Sequence, residues 1–86
     1  MDEEAKNRYL ASPQKMELLM RDRSFRQIEE ERRERLLRAI ARLPGARELV
    51  GDDAFNAALD EAVTNEALSP LSDDERALIC GYLKVR

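Results

Sequence analysis

The sequence predicts an all-α protein, and three properties of the chain indicate this fold class. Leu and Ala are abundant, while only four residues are aromatic and only three each are Gly and Pro; this composition favours helices over sheets. Large apolar residues recur at helical spacing, and helix-start motifs precede the apolar segments. We expect one long charged helix followed by a small C-terminal helical bundle, with three to four helices in a single domain spanning residues 1–86.

The first segment, residues 1–12, is predicted to be flexible or to form a short helix over residues 2–10. Tyr9 and Leu10 are its only sizeable apolar groups beyond Met1. Two neighbouring apolar residues give a short helix little to bury, so the sequence favours neither alternative.

A long helix is predicted over residues 13–43. Ser12-Pro13 is a strong start signal, because serine caps free backbone N–H groups and proline at the first helical position has no N–H to satisfy. Pro44-Gly45 ends the pattern. Such a helix would be about 45 Å long.

Seven consecutive charged residues, 29–35, interrupt the apolar stripe of this predicted helix. The stripe resumes on the same face at Leu36, so one unbroken helix remains the first expectation. Three acid–base pairs at i,i+4 spacing support it locally, each by about 0.2–0.5 kcal/mol. These pairs are Glu29–Arg33, Glu31–Arg35 and Glu34–Arg38. A competing interpretation breaks the helix at Ser24, where Ser24–Gln27 has the S-x-x-Q form of a capping box.

Residues 46–86 are predicted to form the C-terminal helical core. One helical turn is expected over 46–50, then a helix capped by Asp52 or Asp53 that reaches about Ala67. Ser72-Asp73-Asp74-Glu75 is a capping box that opens the last helix. The predicted inner faces comprise Phe55, Ala58, Leu59, Ala62 and Val63 in the first of these helices and Leu78, Ile79, Tyr82 and Leu83 in the last.

The apolar strip that precedes the charged run is the candidate functional feature, because the run would hold it away from the C-terminal core. Its predicted partner-interface residues are Met16, Leu19, Met20, Phe25, Ile28 and Arg32. Methionines suit adaptable helix packing. Arg32 shares the phase of the stripe and would meet a carboxylate of a partner or of the acidic half, with Asp60 and Glu61 as candidates. The alternative is that the strip folds back on the C-terminal core.

No residue pattern indicates catalysis, a metal or a cofactor. Histidine is absent, which removes the usual general base and the commonest metal ligand. The single cysteine, Cys80, excludes an internal disulfide and any multi-cysteine metal site. The acidic clusters lack calcium-loop spacing, and the three glycines form no phosphate loop. We therefore expect neither an enzyme nor a small-molecule substrate.

The charge distribution leaves a nucleic-acid partner as the alternative. Nine arginines lie between residues 21 and 47, but four glutamates are interleaved with them and would weaken attraction to phosphates. Residues 48–86 carry nine acids and three bases within a chain of net charge −3. A DNA-associated transcriptional regulator using the arginine-rich helix is therefore the second prediction, and nucleic acid is not the expected partner.

A protein–protein interaction module is the function that these observations favour. A chain of 86 residues buries little surface by itself, so association would stabilise it. We expect a small adaptor, regulatory subunit or inhibitor of a larger protein, self-associating as a homodimer through the long helix. The acidic N-terminus, Met1-Asp2-Glu3-Glu4, is unlike a signal peptide, and no stretch is long and apolar enough to cross a membrane. A cytoplasmic location is expected.

Overall fold

A computed structural model describes residues 7–45 and 47–85, and it is all-helical. Within these residues there are five helices. They are α1 (Pro13–Arg21), α2 (Arg23–Arg26), α3 (Glu30–Ala41), α4 (Asp52–Asn65) and α5 (Asp73–Leu83). The all-α prediction is therefore confirmed. The expected helix over 13–43 is not found, since the longest helix, α4, has 14 residues.

The predicted long helix is interrupted twice, and side chains cap each interruption. Asp22 ends α1 in an extended conformation, and its carboxylate accepts a hydrogen bond from the backbone N–H of Phe25 at 3.1 Å. Glu29 caps α3 in the same manner through the N–H of Arg32. The Arg33 guanidinium donates to the carbonyls of Arg26 and Ile28, at 2.8 and 3.0 Å. These contacts satisfy backbone groups that the break exposes.

The alternative break at Ser24 placed the interruption close to its actual position but assigned the wrong cap. Asp22 provides the cap, and Ser24 lies inside α2. Of the three predicted i,i+4 ion pairs, only Glu31–Arg35 appears among the ion pairs of the described residues, with 3.1 Å between charged atoms. The arginine and glutamate at positions 33 and 29 cap helix ends instead.

The segment Asn7–Leu10 is extended rather than helical, and the rest of the predicted short helix lies outside the described residues. Its backbone joins two distant parts of the chain. The N–H of Tyr9 donates to the carbonyl of Leu49 at 3.1 Å, and that of Leu10 donates to the carbonyl of Leu83 at 2.9 Å. The Tyr9 ring stacks on Phe55 with 4.0 Å between ring centroids. This segment therefore ties the start of α4 to the end of α5.

The C-terminal half follows most of the predicted pattern. Ser72 forms the expected capping box with Glu75 at the start of α5. Gly51, at φ 96°, precedes α4, and no side chain caps that helix; the predicted cap by Asp52 or Asp53 was wrong. The helical turn expected over 46–50 is not found at 47–50, where a turn leads to an isolated bridge at Val50. Ala46 lies outside the described residues.

The core is built from helix pairs that bring both halves of the chain together. Helix α1 packs on α5, and α3 packs on α4. The predicted inner faces of α4 and α5 supply Phe55, Leu59, Val63, Ile79 and Leu83 to this core. Leu19 and Phe25 from the N-terminal half are fully buried in the same cluster. The strip is therefore not held away from the core, because the two breaks let the chain turn back onto α5.

Candidate protein-interaction surface

The structure divides the six predicted interface residues among four environments. Leu19 and Phe25 are fully buried, so they cannot contact a partner in this fold. Met16 and Ile28 are half-buried against the core. Met20 is 49% exposed. The sixth residue, Arg32, forms an internal ion pair, and the expected common strip does not exist as one surface.

Arg32 links α3 to the start of α5 rather than to a partner. Its Nε and Nη2 atoms donate to the two carboxylate oxygens of Glu75 at 2.9 and 2.8 Å. The same guanidinium donates to Ser69 Oγ at 2.8 Å and to the carbonyls of Ser69 and Pro70. The expected acidic partner does come from the C-terminal half, but it is Glu75. Asp60 pairs with Arg76 instead, at 2.6 Å.

The Arg32–Glu75 pair shifts the pKa of both groups in the direction that maintains their charges. The hydrogen bonds from Arg32 are the main cause that lowers the pKa of the Glu75 carboxyl, and burial opposes them. The same contact raises the pKa of Arg32. Because Glu75 also accepts a bond from the N–H of Ser72 at 3.0 Å, one carboxylate both closes the capping box and holds α3.

Two further contacts fix α1 and α2 against α5. Tyr82 donates its hydroxyl proton to the Asp22 carboxylate at 2.7 Å, which is the main cause that lowers the pKa of Asp22 and raises that of Tyr82. The Lys15 ammonium donates to the carbonyls of Leu83 and Lys84, at 3.3 and 2.9 Å. A cation at these carbonyls complements the C-terminal end of the α5 dipole. The position of α1 is thus set by polar contacts as well as by burial.

Four large apolar side chains are exposed among the described residues. They are Leu10, Leu18, Met20 and Val85. Leu18 is 54% exposed. Leu10 and Val85 flank the C-terminal end of α5, where the backbone of Leu10 bonds to Leu83 and that of Val85 bonds to Arg8. None of the four lies on α3 or α4.

Two open grooves run along the outer face of α5. The first, of about 620 Å³, lies beside α2 and is lined by Ser24, Gln27, Ile28, Ser72, Asp74, Glu75, Ala77 and Leu78. The second, of about 450 Å³, lies beside α1 and is lined by Lys15, Leu18, Gly81, Tyr82 and Lys84. The α5 positions 74, 77, 78 and 81 have the i, i+3, i+4, i+7 spacing of one helix face. We call the two grooves together the α1/α5 surface.

No known family model, curated protein or solved structure matches this chain. The α1/α5 surface must therefore be interpreted from its own residues. It combines apolar walls from Leu18, Ile28 and Leu78 with a floor of small residues, Ala77 and Gly81. Such a surface suits the packing of another helix.

The sequence prediction missed Leu18 as an interface residue, although one signal could have identified it. Successive helix positions are about 100° apart, so Leu18 and Leu19 cannot both occupy the inner face of α1. Leu19 is the buried one, and Leu18 is left facing the groove beside Gly81. Met20 lies about 200° from Leu18 around the helix, so it belongs to the opposite flank.

Several arginines that suggested nucleic-acid binding are engaged within the chain. Of the nine between residues 21 and 47, five make ion pairs or bonds to carbonyls in the described structure: Arg21, Arg32, Arg33, Arg35 and Arg42. Exposed Glu30, Glu31 and Glu34 share α3 with them. No uninterrupted basic stripe therefore follows α3, the centre of that arginine-rich segment.

Cys80 is a free cysteine among the described residues, and it lacks the features of an activated nucleophile. Burial is the main cause that raises the pKa of the Cys80 thiol, which disfavours the reactive thiolate. Within residues 7–45 and 47–85, no group of three or more His, Cys, Asp or Glu side chains is placed to hold a metal ion. None of the helices described there is long and apolar enough to cross a bilayer.

Proposed function

We propose that this chain is a protein-interaction module, acting as a small adaptor, regulatory subunit or inhibitor that binds its partner through the α1/α5 surface. One observation carries the proposal. Leu18 is 54% exposed beside an open groove that is also lined by Gly81, Tyr82 and Lys84 at the C-terminal end of α5. Covering this leucine with the surface of a partner is favourable, since burial of a large aliphatic side chain contributes about 1.5–3 kcal/mol of free energy.

The rigidity of the surface supports this proposal. Helix α1 is held to α5 by Lys15 and by the Asp22–Tyr82 hydrogen bond, and α3 is held to the start of α5 by Arg32. These contacts fix the walls of both grooves before any partner arrives. A preformed site loses less conformational entropy on binding than a mobile one.

The proposal is tested by comparing two variants of α1. Leu18→Glu places a charge on the α1/α5 surface, whereas Met20→Glu places the same charge on the opposite flank of the same helix, at a side chain of similar exposure. Both proteins should remain folded by circular dichroism. Each immobilised protein is then used to capture proteins from native cell extract, with quantification by mass spectrometry.

We expect at least one protein that binds to wild type and to Met20→Glu but is lost with Leu18→Glu. If Met20→Glu alone loses the bound protein, the docking side is the opposite flank of α1. If both variants retain everything that the wild type captures, the α1/α5 surface is not the binding site.

A further inference from the structure

We propose that the α1/α5 surface binds a second copy of this chain, with the two α5 helices packed antiparallel about a two-fold axis near Ile79. This inference rests on the proposed function, because it names the partner for the same surface. The sequence predicts a homodimer through a long helix that the structure does not contain. The proposed contact uses the outer face of α5 instead.

Gly81 is the first observation that points to a close partner. It lies inside α5 and is exposed, and a Cβ placed there would meet no heavy atom within 4 Å. Packing within the chain therefore does not require glycine at this position. A glycine inside a helix nevertheless destabilises it by about 0.5–1 kcal/mol relative to alanine. Close approach of another backbone is the physical situation in which a missing side chain is an advantage.

The order of residues along α5 indicates what that other backbone is. Ala77 and Gly81 each lie two positions from Ile79, and Asp74 and Lys84 each lie five positions from it. In an antiparallel pair centred on residue 79, Ala77 of one copy faces Gly81 of the other. Asp74 of each copy lies at the level of Lys84 of the other. The surface is therefore complementary to itself under a two-fold rotation.

Charge selects the antiparallel orientation over the parallel one. Neither Asp74 nor Lys84 takes part in an ion pair among the residues that the structure describes. The charge of Lys84 helps to lower the pKa of Asp52, but that carboxylate already accepts hydrogen bonds from Tyr9 and Asn7. A parallel pair would bring Asp74 to Asp74, whereas the antiparallel pair forms two opposite-charge contacts and opposes the two helix dipoles favourably.

The size of the face sets the expected strength of the dimer. A standard stable interface buries about 800 Å² per partner, whereas the whole chain exposes 5879 Å². Helix α5 has 11 residues and is therefore only about 16 Å long. The flanking side chains Leu18 and Val85 must contribute, and we expect a micromolar rather than a nanomolar dimer.

The test is sedimentation equilibrium of the full chain from about 5 to 500 µM, a range that brackets the expected affinity. Wild type should show a monomer–dimer equilibrium. Asp74→Lys and Lys84→Asp should each weaken the dimer about tenfold, because each replaces two attractive contacts with two repulsive ones. The double variant, which carries both Asp74→Lys and Lys84→Asp, should recover most of the lost dimer affinity. Asp53→Lys is the matched control, because Asp53 is the second residue of α4 as Asp74 is of α5.

A second measurement separates the dimer contact from folding. Gly81→Leu should weaken dimerisation at least tenfold while leaving the chain folded, since leucine is a better helix former and the space beside Gly81 is open. In a Cys80→Ser background, Ala77→Cys with Gly81→Cys should give a disulfide-linked dimer on mild oxidation.

A wild type that is monomeric at 500 µM would overturn the self-association proposal, and the proposed function would survive if Leu18→Glu still lost a captured protein. A dimer that is unaffected by Gly81→Leu or by either charge reversal would place the interface elsewhere and would also overturn it. If the wild type is monomeric at 500 µM and Leu18→Glu captures the same proteins as the wild type, both proposals are overturned.

Discussion

Replacing Arg32 with methionine should destabilise the fold by about 2 kcal/mol, although the sequence places this arginine in a charged, solvent-accessible run. The substitution removes the bidentate contact with Glu75 and the bonds to Ser69 and Pro70. The Arg32 and Glu75 side chains are only 20% and 15% exposed. Hydrogen bonds to charged groups contribute about 1.5–3 kcal/mol, and the retained aliphatic stem and partial solvation place the effect within that range.

A double-mutant cycle isolates the ion pair from the other contacts of Arg32. Glu75→Gln removes the charge but keeps a residue that can close the capping box with Ser72. We expect a coupling free energy of about 1 kcal/mol between the two substitutions in urea unfolding followed by circular dichroism. Arg38→Met is the control, because Arg38 is exposed on the same helix and makes no side-chain contact among the described polar interactions. The reasoning fails if Arg32→Met destabilises the protein no more than Arg38→Met does.

The same pair predicts a pH dependence whose sign follows from Glu75. Its pKa is lower in the folded chain than in the unfolded chain, mainly because of the Arg32 hydrogen bonds. The resulting stabilisation is fully present above the unfolded pKa of about 4.3 and is lost as pH falls through the lower folded value. The free energy of unfolding should therefore fall more for wild type than for Glu75→Gln between about pH 5 and 3. Equal losses would show that Arg32 does not shift this carboxyl.

Three further substitutions test the assignment of individual positions. Leu19→Ala should lower the free energy of unfolding by about 2–5 kcal/mol, whereas Leu18→Ala should lower it by under about 1 kcal/mol. Equal decreases of the two variants in urea unfolding would contradict the assigned inner face of α1. Ala67→Gly should raise the free energy of unfolding by about 0.5–1 kcal/mol, because Ala67 follows α4 at φ 59° within a Schellman motif where glycine is favoured. A lower thermal midpoint would contradict this expectation.

Local sequence signals predicted the starts of α1 and α5 and the inner face of α4, because the physical cause of each lies within a few residues. Ser12 and Ser72 cap their helices as expected, since each needs only its own side chain and a backbone N–H three residues away. The inner face of α4 followed from the spacing of Phe55, Leu59 and Val63. For these elements, the local sequence favours one structure strongly over the alternatives.

The break in the expected long helix could not be derived from spacing alone. The i,i+4 pattern supports a continuous helix, but each ion pair is worth only a few tenths of a kcal/mol. Turning the chain back allows Leu19 and Phe25 to be fully buried, which contributes several kcal/mol. Tertiary burial therefore outweighs the local preference, and Asp22 and Arg33 satisfy the backbone groups that the break exposes.

The candidate surface was predicted only in part, since its two walls come from distant segments. The sequence indicated an apolar N-terminal helix, but not that α5 would cover one side of it and leave Leu18 exposed. Likewise, the charge pattern predicted that Arg32 would meet a carboxylate, either of a partner or of the acidic C-terminal half. It could not choose Glu75 over Asp60, because that choice depends on the packing of α3 against the start of α5.

The extended segment at Asn7–Leu10 has a consequence for the order of events during synthesis. Its backbone partners include Leu49 and Leu83, and Lys15 also bonds to carbonyls at the end of α5. Helices α3 and α4 can pair before α5 has formed, but residues 7–21 reach their final contacts only once α5 is present. Leu19, on the inner face of α1, therefore stays uncovered until α5 has been synthesised. Apolar surface that is exposed transiently in this way favours aggregation during folding.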